Sequence, residues 1–234
     1  MKINILYGVD GAKEATGVVV IIDVFRAASS AGYILNKETK YIIPVSTKEE
    51  AFRLKKENPD FILMGEEGGY KIDGFELGNS PFEAIEYDLK DKIIVFRTTQ
   101  GTQGIVNAVK ADEIIFGSFP NAQAIADYIN DKKPEVVSLV AMGGTGTKDT
   151  GGKGGEDDQF AEFLKKKILG EKPQVDPIIK YLETHEGAKR FLDPCIPEFP
   201  SEDFSLCLAT DIFNFVPLVN LRDGRQVIIK KEVK

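Results

Sequence analysis

Acidic side chains follow two apolar segments of the chain and could bind a metal ion. Asp23 comes directly after Val18–Ile22, and Glu66 follows Phe61–Met64 after a single glycine. A carboxylate at the end of a buried parallel strand costs free energy unless it binds a metal, pairs with a cation or caps the next helix. For Asp23, a pair with Arg26 that only shapes the turn is the alternative. Mg²⁺ favours a few carboxylates together with water and substrate phosphate.

A third acidic group comes at the end of the glycine-saturated stretch Gly143–Gly155, which is predicted to be a mobile loop and a lid. Glu156 and Asp157 stand first in a predicted helix, where negative charge suits the helix dipole. An ordinary N-terminal cluster is therefore the alternative to a metal site. Glu67, next to Glu66, is interpreted as a solvated acid.

A turn rich in hydroxyl groups follows the apolar run Lys92–Phe96 and suits a phosphate oxyanion. It reads Thr98-Thr99-Gln100-Gly101-Thr102 and precedes a predicted helix, whose first backbone N–H groups favour anions. The same composition is typical of ordinary helix starts. The chain has no GxxxxGK[ST] pattern, so this turn is not a nucleoside-triphosphate loop. The single histidine, His185, is predicted on a helix surface, which argues against histidine-based catalysis.

The charge balance excludes a nucleic-acid-binding protein. Thirty Lys and Arg residues against 37 Asp and Glu residues give a net charge of −7, and the chain contains no basic block. An anionic ligand would need local positive charge, because the overall field opposes it. The two cysteines form no CxxC motif and are expected to be buried free thiols.

The apolar runs are too short to span a bilayer, and the first residues lack the apolar core of a signal peptide. The chain is therefore predicted to be cytoplasmic, with no membrane partner. Its sequence leaves open whether it forms a homo-oligomer.

Apolar segments alternate with helical patterns, which predicts an α/β fold with α/β/α layers and a largely parallel or mixed sheet. The predicted strands are Val18–Asp23, Lys40–Val45, Phe61–Met64, Lys92–Phe96, Glu113–Phe116 and Val136–Val140. The predicted helices are Ser30–Leu35, Thr47–Glu57, Gly101–Val109, Asn121–Ile129, Glu156–Ile168 and Pro177–Phe191. The tail is predicted to hold a strand-like run, Phe204–Val219, and an edge strand, Gln226–Ile229.

A weak internal repeat relates Ile21–Ser29 to Lys92–Gln100, with Phe25-Arg26 matching Phe96-Arg97. It predicts two similar βαβαβ halves, about 1–90 and 91–234, within a single unit of residues 1–234. Chance similarity of two βαβ segments is the alternative. If the repeat is real, loops from both halves would meet at the carboxyl ends of their strands, where open α/β sheets bind ligands.

Seven segments in this order together resemble the 2-phosphosulfolactate phosphatase family, and they cover almost the whole chain. They are Asp23–Ala27, Gly65–Gly69, Gly74–Pro81, Thr98–Thr102, Gly117–Asn121, Glu156-Asp157 and Asp203–Pro217.

The resemblance implies Mg²⁺-dependent hydrolysis of a phosphate ester on a small acidic molecule. For the family, that reaction converts 2-phosphosulfolactate to sulfolactate in coenzyme M biosynthesis. It implies Mg²⁺ ligands among Asp23, Glu66, Glu156 and Asp157. Charge on the phosphoryl group would be balanced by Arg26, by Arg97 and by Thr98–Thr102, which we call the threonine turn. The expected catalytic residues are Asp23, Arg26, Glu66 and Arg97, and the expected phosphate contacts are Asn79, Ser80, Thr98, Thr99, Gly101 and Thr102.

Three positions depart from the family pattern, in which arginine or asparagine is common: Glu67, Gln100 and Gln103. A missing arginine removes a bidentate anion contact that glutamine cannot replace by charge. Two alternatives therefore stay open, a non-catalytic ligand-binding or regulatory member and a phosphatase for another phosphorylated hydroxy acid. A metal-activated water is favoured over an aspartyl-phosphate, because the chain has no Asp-x-Asp at Asp23.

Overall fold

The computed structural model describes residues 1–143 and 154–233, and the strands in these ranges form one mixed ten-stranded sheet. The strands are β1 (Lys2–Tyr7), β2 (Gly17–Ile22), β3 (Tyr41–Pro44), β4 (Ile62–Glu67), β5 (Tyr70–Lys71), β6 (Ile93–Arg97), β7 (Ala111–Gly117), β8 (Val136–Ala141), β9 (Phe215–Arg222) and β10 (Arg225–Glu232). Their order across the sheet is β1-β8-β2-β7-β9-β10-β3-β6-β4-β5.

The helices of the described residues connect these strands. They are α1 (Gly8–Glu14), α2 (Ala27–Asn36), α3 (Lys48–Glu57), α4 (Pro81–Glu86), α5 (Gly101–Asn107), α6 (Ala122–Lys132), α7 (Glu156–Ile168), α8 (Asp176–Thr184), α9 (Glu186–Lys189) and α10 (Ser201–Leu208), with a short 3-10 helix at Phe119–Asn121. None of them is both long enough and apolar enough to cross a membrane.

Two groups of parallel strands make up most of the sheet. Strands β1, β8, β2 and β7 form one group, and β3, β6 and β4 form the other. The antiparallel hairpin β9–β10 joins them by pairing with β7 and β3. Strand β2 lies between β7 and β8, and β6 lies between β3 and β4. Each proposed half thus places one strand between two strands of the other half, a symmetry that fits the repeat. The division into two halves stays a prediction.

Strand β2 is buried on both faces, which explains its unbroken apolar sequence. Val18, Val20 and Ile22 pack in a core cluster with residues of α6 and α7, whereas Val19 and Ile21 pack with residues of α2 and α5. Alternate side chains of a strand point to opposite faces, so helices cover both sides of the sheet. The predicted α/β class with α/β/α layers is confirmed.

Local sequence signals explain the helix boundaries. The Thr47 side chain accepts a hydrogen bond from the Glu50 N–H and caps α3, and Ser80 caps α4 in the same way ahead of Pro81. Helix α7 begins with three acidic residues and carries Lys165–Lys167 in its last turn, which complements the helix dipole.

The C-terminal region differs from the sequence prediction. The predicted strand-like run Phe204–Val219 is wrong in its first half, where α10 runs to Leu208 and β9 begins only at Phe215. The predicted edge strand is β10, which lies inside the sheet between β9 and β3. Alternating apolar residues fit either place, because they report which face is buried and not which strands lie alongside.

The single histidine and one cysteine also differ from expectation. His185 separates α8 from α9, and its Nδ1 accepts a 3.2 Å hydrogen bond from the Gly187 N–H, which interrupts the single helix predicted here. Cys207 is a buried free thiol as expected, whereas Cys195 is exposed.

Candidate active site

Asp23 lies at the end of β2, where its carboxylate is buried against the start of two helices. One oxygen accepts a 3.1 Å hydrogen bond from the Ala27 N–H at the start of α2. The other lies so near Gly101, the first residue of α5, that a Cβ added there would be 2.7 Å from it. The loop after β2 and the turn after β6 therefore meet at Asp23.

Asp157 fixes the first turn of α7 to the ends of two strands. Its Oδ1 accepts a 2.7 Å hydrogen bond from the Val24 N–H after β2, and its Oδ2 accepts one of 3.1 Å from the Gly143 N–H after β8. The predicted lid, Gly143–Gly155, lies mostly outside the described residues.

Glu156 precedes Asp157 and is 1% exposed. Neither of its carboxylate oxygens accepts a hydrogen bond from another residue among those the structure describes. Buried polar atoms in folded proteins nearly always have partners, so an unsatisfied carboxylate indicates a missing ion, water or ligand. Glu156 therefore has coordination capacity that the described residues do not use.

Glu66, at the end of β4, is held by the threonine turn. Its Oε1 accepts a 2.5 Å hydrogen bond from the Thr99 N–H, and its Oε2 accepts one of 2.9 Å from the Thr99 hydroxyl. Oε2 also accepts a 2.6 Å hydrogen bond from the Gly69 N–H. The negative charge of Glu66 thus lies where the loops after β4 and β6 meet.

Burial and mutual repulsion raise the pKa values of Asp23, Glu156 and Asp157, which together with Glu66 form what we call the acidic cluster. Burial, followed by the charge of Glu66, raises the pKa of Asp23 to about 7, although the Ala27 and Gly101 N–H groups oppose this. Burial, followed by the charge of Asp23, raises the pKa of Glu156 to about 8. Burial and the charges of Glu156 and Asp23 also raise the pKa of Asp157. The cluster therefore needs a proton or a cation to stay buried at neutral pH.

The acidic cluster fits a divalent metal that keeps most of its other ligands as water and substrate. Within residues 1–143 and 154–233, no three His, Cys, Asp or Glu side chains are arranged to hold a metal ion by themselves. Mg²⁺ usually takes one or two carboxylates and keeps several waters. The unpartnered oxygens of Glu156 and the carboxylate of Asp23 meet that smaller requirement.

The threonines of the turn mostly satisfy each other. The Thr98 hydroxyl accepts a 3.0 Å hydrogen bond from the Thr102 N–H, and the Thr102 hydroxyl accepts one of 3.0 Å from the Thr98 N–H. The Thr102 hydroxyl also donates to the Thr98 carbonyl oxygen at 2.9 Å. These hydroxyls shape the start of α5, and their predicted contact with phosphate stays a prediction.

Arg26 is held in place by hydrogen bonds within the protein. Its Nη1 donates to Asp203 Oδ2 at 2.9 Å and to the Glu198 carbonyl oxygen at 2.7 Å, and its Nη2 donates to the Gly69 carbonyl oxygen at 3.1 Å. Asp203 in turn accepts a 2.7 Å hydrogen bond from the Ser80 hydroxyl. Arg26 thus forms a buried ion pair with Asp203, which was not predicted from the sequence, and not the pair with Asp23 that was considered as an alternative.

Asn79 and Ser80 line a cavity of about 630 Å³ beside the acidic cluster. Arg26 and Gly69 also line this cavity, whereas the four carboxylates of the cluster do not. The Asn79 Oδ1 is buried without a partner among the described residues. Arg26 and Gly69 adjoin both places, so the cavity is a space that neighbours the acidic cluster.

Arg97 supports the loop that carries Glu66. Its Nη1 donates a 2.6 Å hydrogen bond to the Glu66 carbonyl oxygen, and its Nη2 lies 3.3 Å from Glu67 Oε1. Glu67 also pairs with Lys48 at 3.0 Å. Glu67, one of the three departures from the family pattern, therefore pairs with both Lys48 and Arg97. Gln103, another departure, donates to the Ser46 carbonyl oxygen at 2.9 Å.

Arg190 also borders the site, and the sequence analysis missed it. Its Nη1 lies beside Gly69, where an added Cβ would be 3.1 Å away, and its guanidinium lies 4.6 Å from the centroid of the Phe199 ring. It stands just after α9, in a segment whose charged residues resemble an ordinary helix surface. No motif marks it, because its place depends on how the segment after α8 folds back over the β4–β5 loop.

Comparisons with known proteins show which family the chain belongs to. A model of the family described as 2-phosphosulpholactate phosphatase matches residues 7–221. A protein of Carboxydothermus hydrogenoformans is 34% identical over 97% of both chains, and one of Bacillus subtilis is 31% identical over 100% of both. A Thermoplasma acidophilum protein is 32% identical over 93% of both chains. All three carry the name "Probable 2-phosphosulfolactate phosphatase".

The fold and these similarities define an α/β enzyme that hydrolyses phosphoric monoesters. The chain belongs to the 2-phosphosulpholactate phosphatase family, since the match spans nearly its whole length.

Proposed function

We propose that the chain hydrolyses 2-phosphosulfolactate to sulfolactate and inorganic phosphate, with Mg²⁺ bound at the acidic cluster. The substrate follows from the names of the relatives, which align over nearly the full length of both chains. One observation carries the metal dependence: Glu156 is buried beside Asp23, and neither of its oxygens has a partner among the described residues. A divalent cation would satisfy both carboxylates and remove their mutual repulsion.

The four acids of the cluster have different roles in this proposal. Glu156 would hold the metal because neither of its oxygens has a partner among the described residues, and Asp23 would hold it because its charge acts on Glu156. Glu66 and Asp157 accept backbone N–H groups and would orient the loops around it. When bound, Mg²⁺ supplies positive charge to the phosphoryl oxygens and makes a bound water more acidic.

The reaction itself needs water placed in line with the ester bond. Water attacks phosphorus, the bond from phosphorus to the substrate oxygen breaks, and that oxygen takes a proton to become the hydroxyl of sulfolactate. Asp23 would orient the attacking water through its carboxylate. Arg97 would keep Glu66 and its loop in place through the Glu66 carbonyl oxygen, and Arg26 would do the same for Gly69. Phosphoryl transfer depends mainly on such positioning and on charge stabilisation.

Phosphate release with and without metal tests this function. The chain is freed of metal with EDTA and assayed on 2-phosphosulfolactate before and after addition of Mg²⁺. Turnover that requires Mg²⁺ supports the proposal, and Glu162→Gln, an exposed change on α7, serves as a matched control for Glu156→Gln. Full activity in EDTA would show that the reaction does not need a metal. If another phosphorylated hydroxy acid is hydrolysed faster, the proposed substrate is wrong, whereas the proposed site still stands.

Three further expectations belong with this proposal. Sulfolactate would feed coenzyme M biosynthesis, the enzyme would work in the cytoplasm, and it would act without nucleic-acid partners. Size-exclusion chromatography with light scattering would show whether it works as a homo-oligomer.

A further inference from the structure

Arg190 has an unusual environment for a charged side chain. It is half-buried, and its guanidinium makes no hydrogen bond or ion pair with any residue in the described ranges. The guanidinium lies over the Phe199 ring, 4.6 Å from the ring centroid. A partly desolvated cation without an anion is costly. Arginine is also the side chain best suited to bind a planar or tetrahedral oxyanion through two donors.

A second guanidinium lies close by and repels Arg190. Arg26 lies 4.3 Å from the centroid of the same Phe199 ring, so two cations share one aromatic side chain. Arg26 is neutralised by Asp203 at 2.9 Å, whereas Arg190 has no such partner among the described residues. Burial, followed by the charge of Arg26, lowers the pKa of Arg190. An anion at Arg190 would relieve both effects.

Arg190 also lies at the edge of the acidic cluster. The charges of Glu156 and Glu66 act on it, and its Nη1 is beside Gly69, whose N–H binds Glu66. Gly69 has a φ of +94°, and an added Cβ would lie 2.7 Å from Phe199. The absence of a side chain at Gly69 thus lets Arg190 approach the cluster. An anion held by Arg190 would be next to, and not on top of, the metal-binding carboxylates.

We infer that Arg190 binds a non-reacting acidic group of the substrate, the carboxylate or the sulfonate, and so sets specificity for phosphate esters that carry a second anion. This inference rests on the proposed function, because it assigns a contact to the same substrate. The phosphate would lie over the carboxylates, and the second acidic group would lie over Phe199. A phosphate ester without a second anion would lose this contact.

Kinetics on three phosphate esters test the role of Arg190. They are 2-phosphosulfolactate, 2-phospholactate (which has the carboxylate and lacks the sulfonate) and glycerol 2-phosphate, which lacks both. Arg190→Gln is expected to raise KM for 2-phosphosulfolactate about 10-fold or more with a small change in kcat, as for loss of one charge-assisted contact. Arg190→Lys should recover part of this loss. Lys189→Gln removes the neighbouring exposed charge and should leave KM unchanged.

The three substrates identify the group that Arg190 contacts. If the variant raises KM equally for 2-phosphosulfolactate and 2-phospholactate, Arg190 binds the carboxylate. If it raises KM only for 2-phosphosulfolactate, Arg190 binds the sulfonate. For glycerol 2-phosphate, the wild type and Arg190→Gln should have similar KM values. An equal rise in KM for all three esters, or no rise for any, would overturn the inference.

Binding of the product separates this inference from the proposed function. Titration calorimetry with sulfolactate needs no turnover, and Arg190→Gln is expected to weaken binding about 10-fold or more while Lys189→Gln does not. If the wild type hydrolyses 2-phosphosulfolactate and Arg190→Gln binds sulfolactate normally, the inference fails and the function stands. If the wild type fails to hydrolyse it but binds sulfolactate through Arg190, the function fails and the anion contact stands.

Discussion

Asp157 Oδ1 accepts a 2.7 Å hydrogen bond from the backbone N–H of Val24, although the two residues are 133 positions apart in the chain. This bond joins the first turn of α7 to the end of β2. It brings Glu156 next to Asp23. The charge of Asp23 raises the pKa of Glu156, and the charges of both raise the pKa of Asp157. The acidic cluster thus depends on a tertiary contact between two elements that are far apart in the sequence.

Replacement of Gly101 tests how tightly the turn after β6 fits against the cluster. In Gly101→Ala, the new Cβ would lie 2.7 Å from Asp23 Oδ2 and 2.8 Å from the Phe116 ring. Displacement of the carboxylate should lower kcat about 10- to 100-fold, since misplacement by about 1 Å can cost that much. Gly11→Ala, in helix α1, serves as the control in phosphate-release assays. A normal kcat in Gly101→Ala would show that Asp23 need not be held where the structure places it.

Asp23→Asn removes one negative charge while keeping the size of the side chain. We expect turnover to fall at least about 100-fold, because both metal binding and orientation of the attacking water depend on this carboxylate. Initial rates at saturating Mg²⁺ measure the effect. Asp10→Asn, at an exposed position in α1, should keep the wild-type rate. A rate near wild type in Asp23→Asn would exclude both roles.

The strands and the convergence of the acids could be predicted from the sequence. Six apolar runs predicted β2, β3, β4, β6, β7 and β8, because unbroken apolar segments are typical of parallel strands covered on both faces. Loops at strand ends also predicted that Asp23 and Glu66 lie close together, and in the structure the charge of Glu66 acts on Asp23. Strand β1 was missed, since its sequence KINILY follows no turn signal.

Other parts of the site could not be predicted, because they depend on tertiary contacts. Asp203 reads as an ordinary acid in the first turn of α10, and only the fold places it against Arg26. Arg190 belongs to no motif, and its lack of an ion-pair partner among the described residues depends on how the chain after α8 folds. The hydroxyls of Thr98 and Thr102 bind the backbone at the start of α5, a role their types alone did not reveal, and their contact with phosphate stays a prediction.

Stability of the metal-free protein should depend on pH in a direction set by Glu156. Its pKa is about 8 in the folded chain and near its usual 4.5 when unfolded, so the folded state binds more protons between these values. The free energy of unfolding should therefore fall as pH rises from about 5 to about 8. Thermal unfolding in EDTA measures this, and Mg²⁺ should stabilise the protein more at pH 8 than at pH 5.

Glu156→Gln removes one of the charges behind this slope. Metal-free Glu156→Gln should unfold at least about 2 °C above the wild type at pH 8, and Mg²⁺ should raise its unfolding temperature less. Glu162→Gln, exposed on the same helix, should follow the wild type. A lower unfolding temperature for Glu156→Gln in EDTA would show that the carboxylate has a stabilising partner in the folded protein.

Loss of Asp203 should leave Arg26 as a buried cation without a counter-charge. Both side chains are almost fully buried, and they are 2.9 Å apart. Breaking a buried pair at one partner typically costs about 3–5 kcal/mol, so Asp203→Asn should lower the free energy of unfolding by about 3 kcal/mol or more. Urea denaturation measures the change. Glu67→Gln, which breaks only exposed pairs with Lys48 and Arg97, should leave stability nearly unchanged.

The central claim is that Asp23 and Glu156 hold one divalent metal beside the phosphate of the substrate. Crystals grown with Mn²⁺ and a non-hydrolysable phosphate analogue allow the metal to be located by its anomalous scattering. We expect a single strong anomalous peak within about 2.0–2.3 Å of an oxygen of Asp23 and of an oxygen of Glu156, with the analogue bound to the metal. A peak away from both carboxylates, or bound analogue with no metal beside it, would contradict the account.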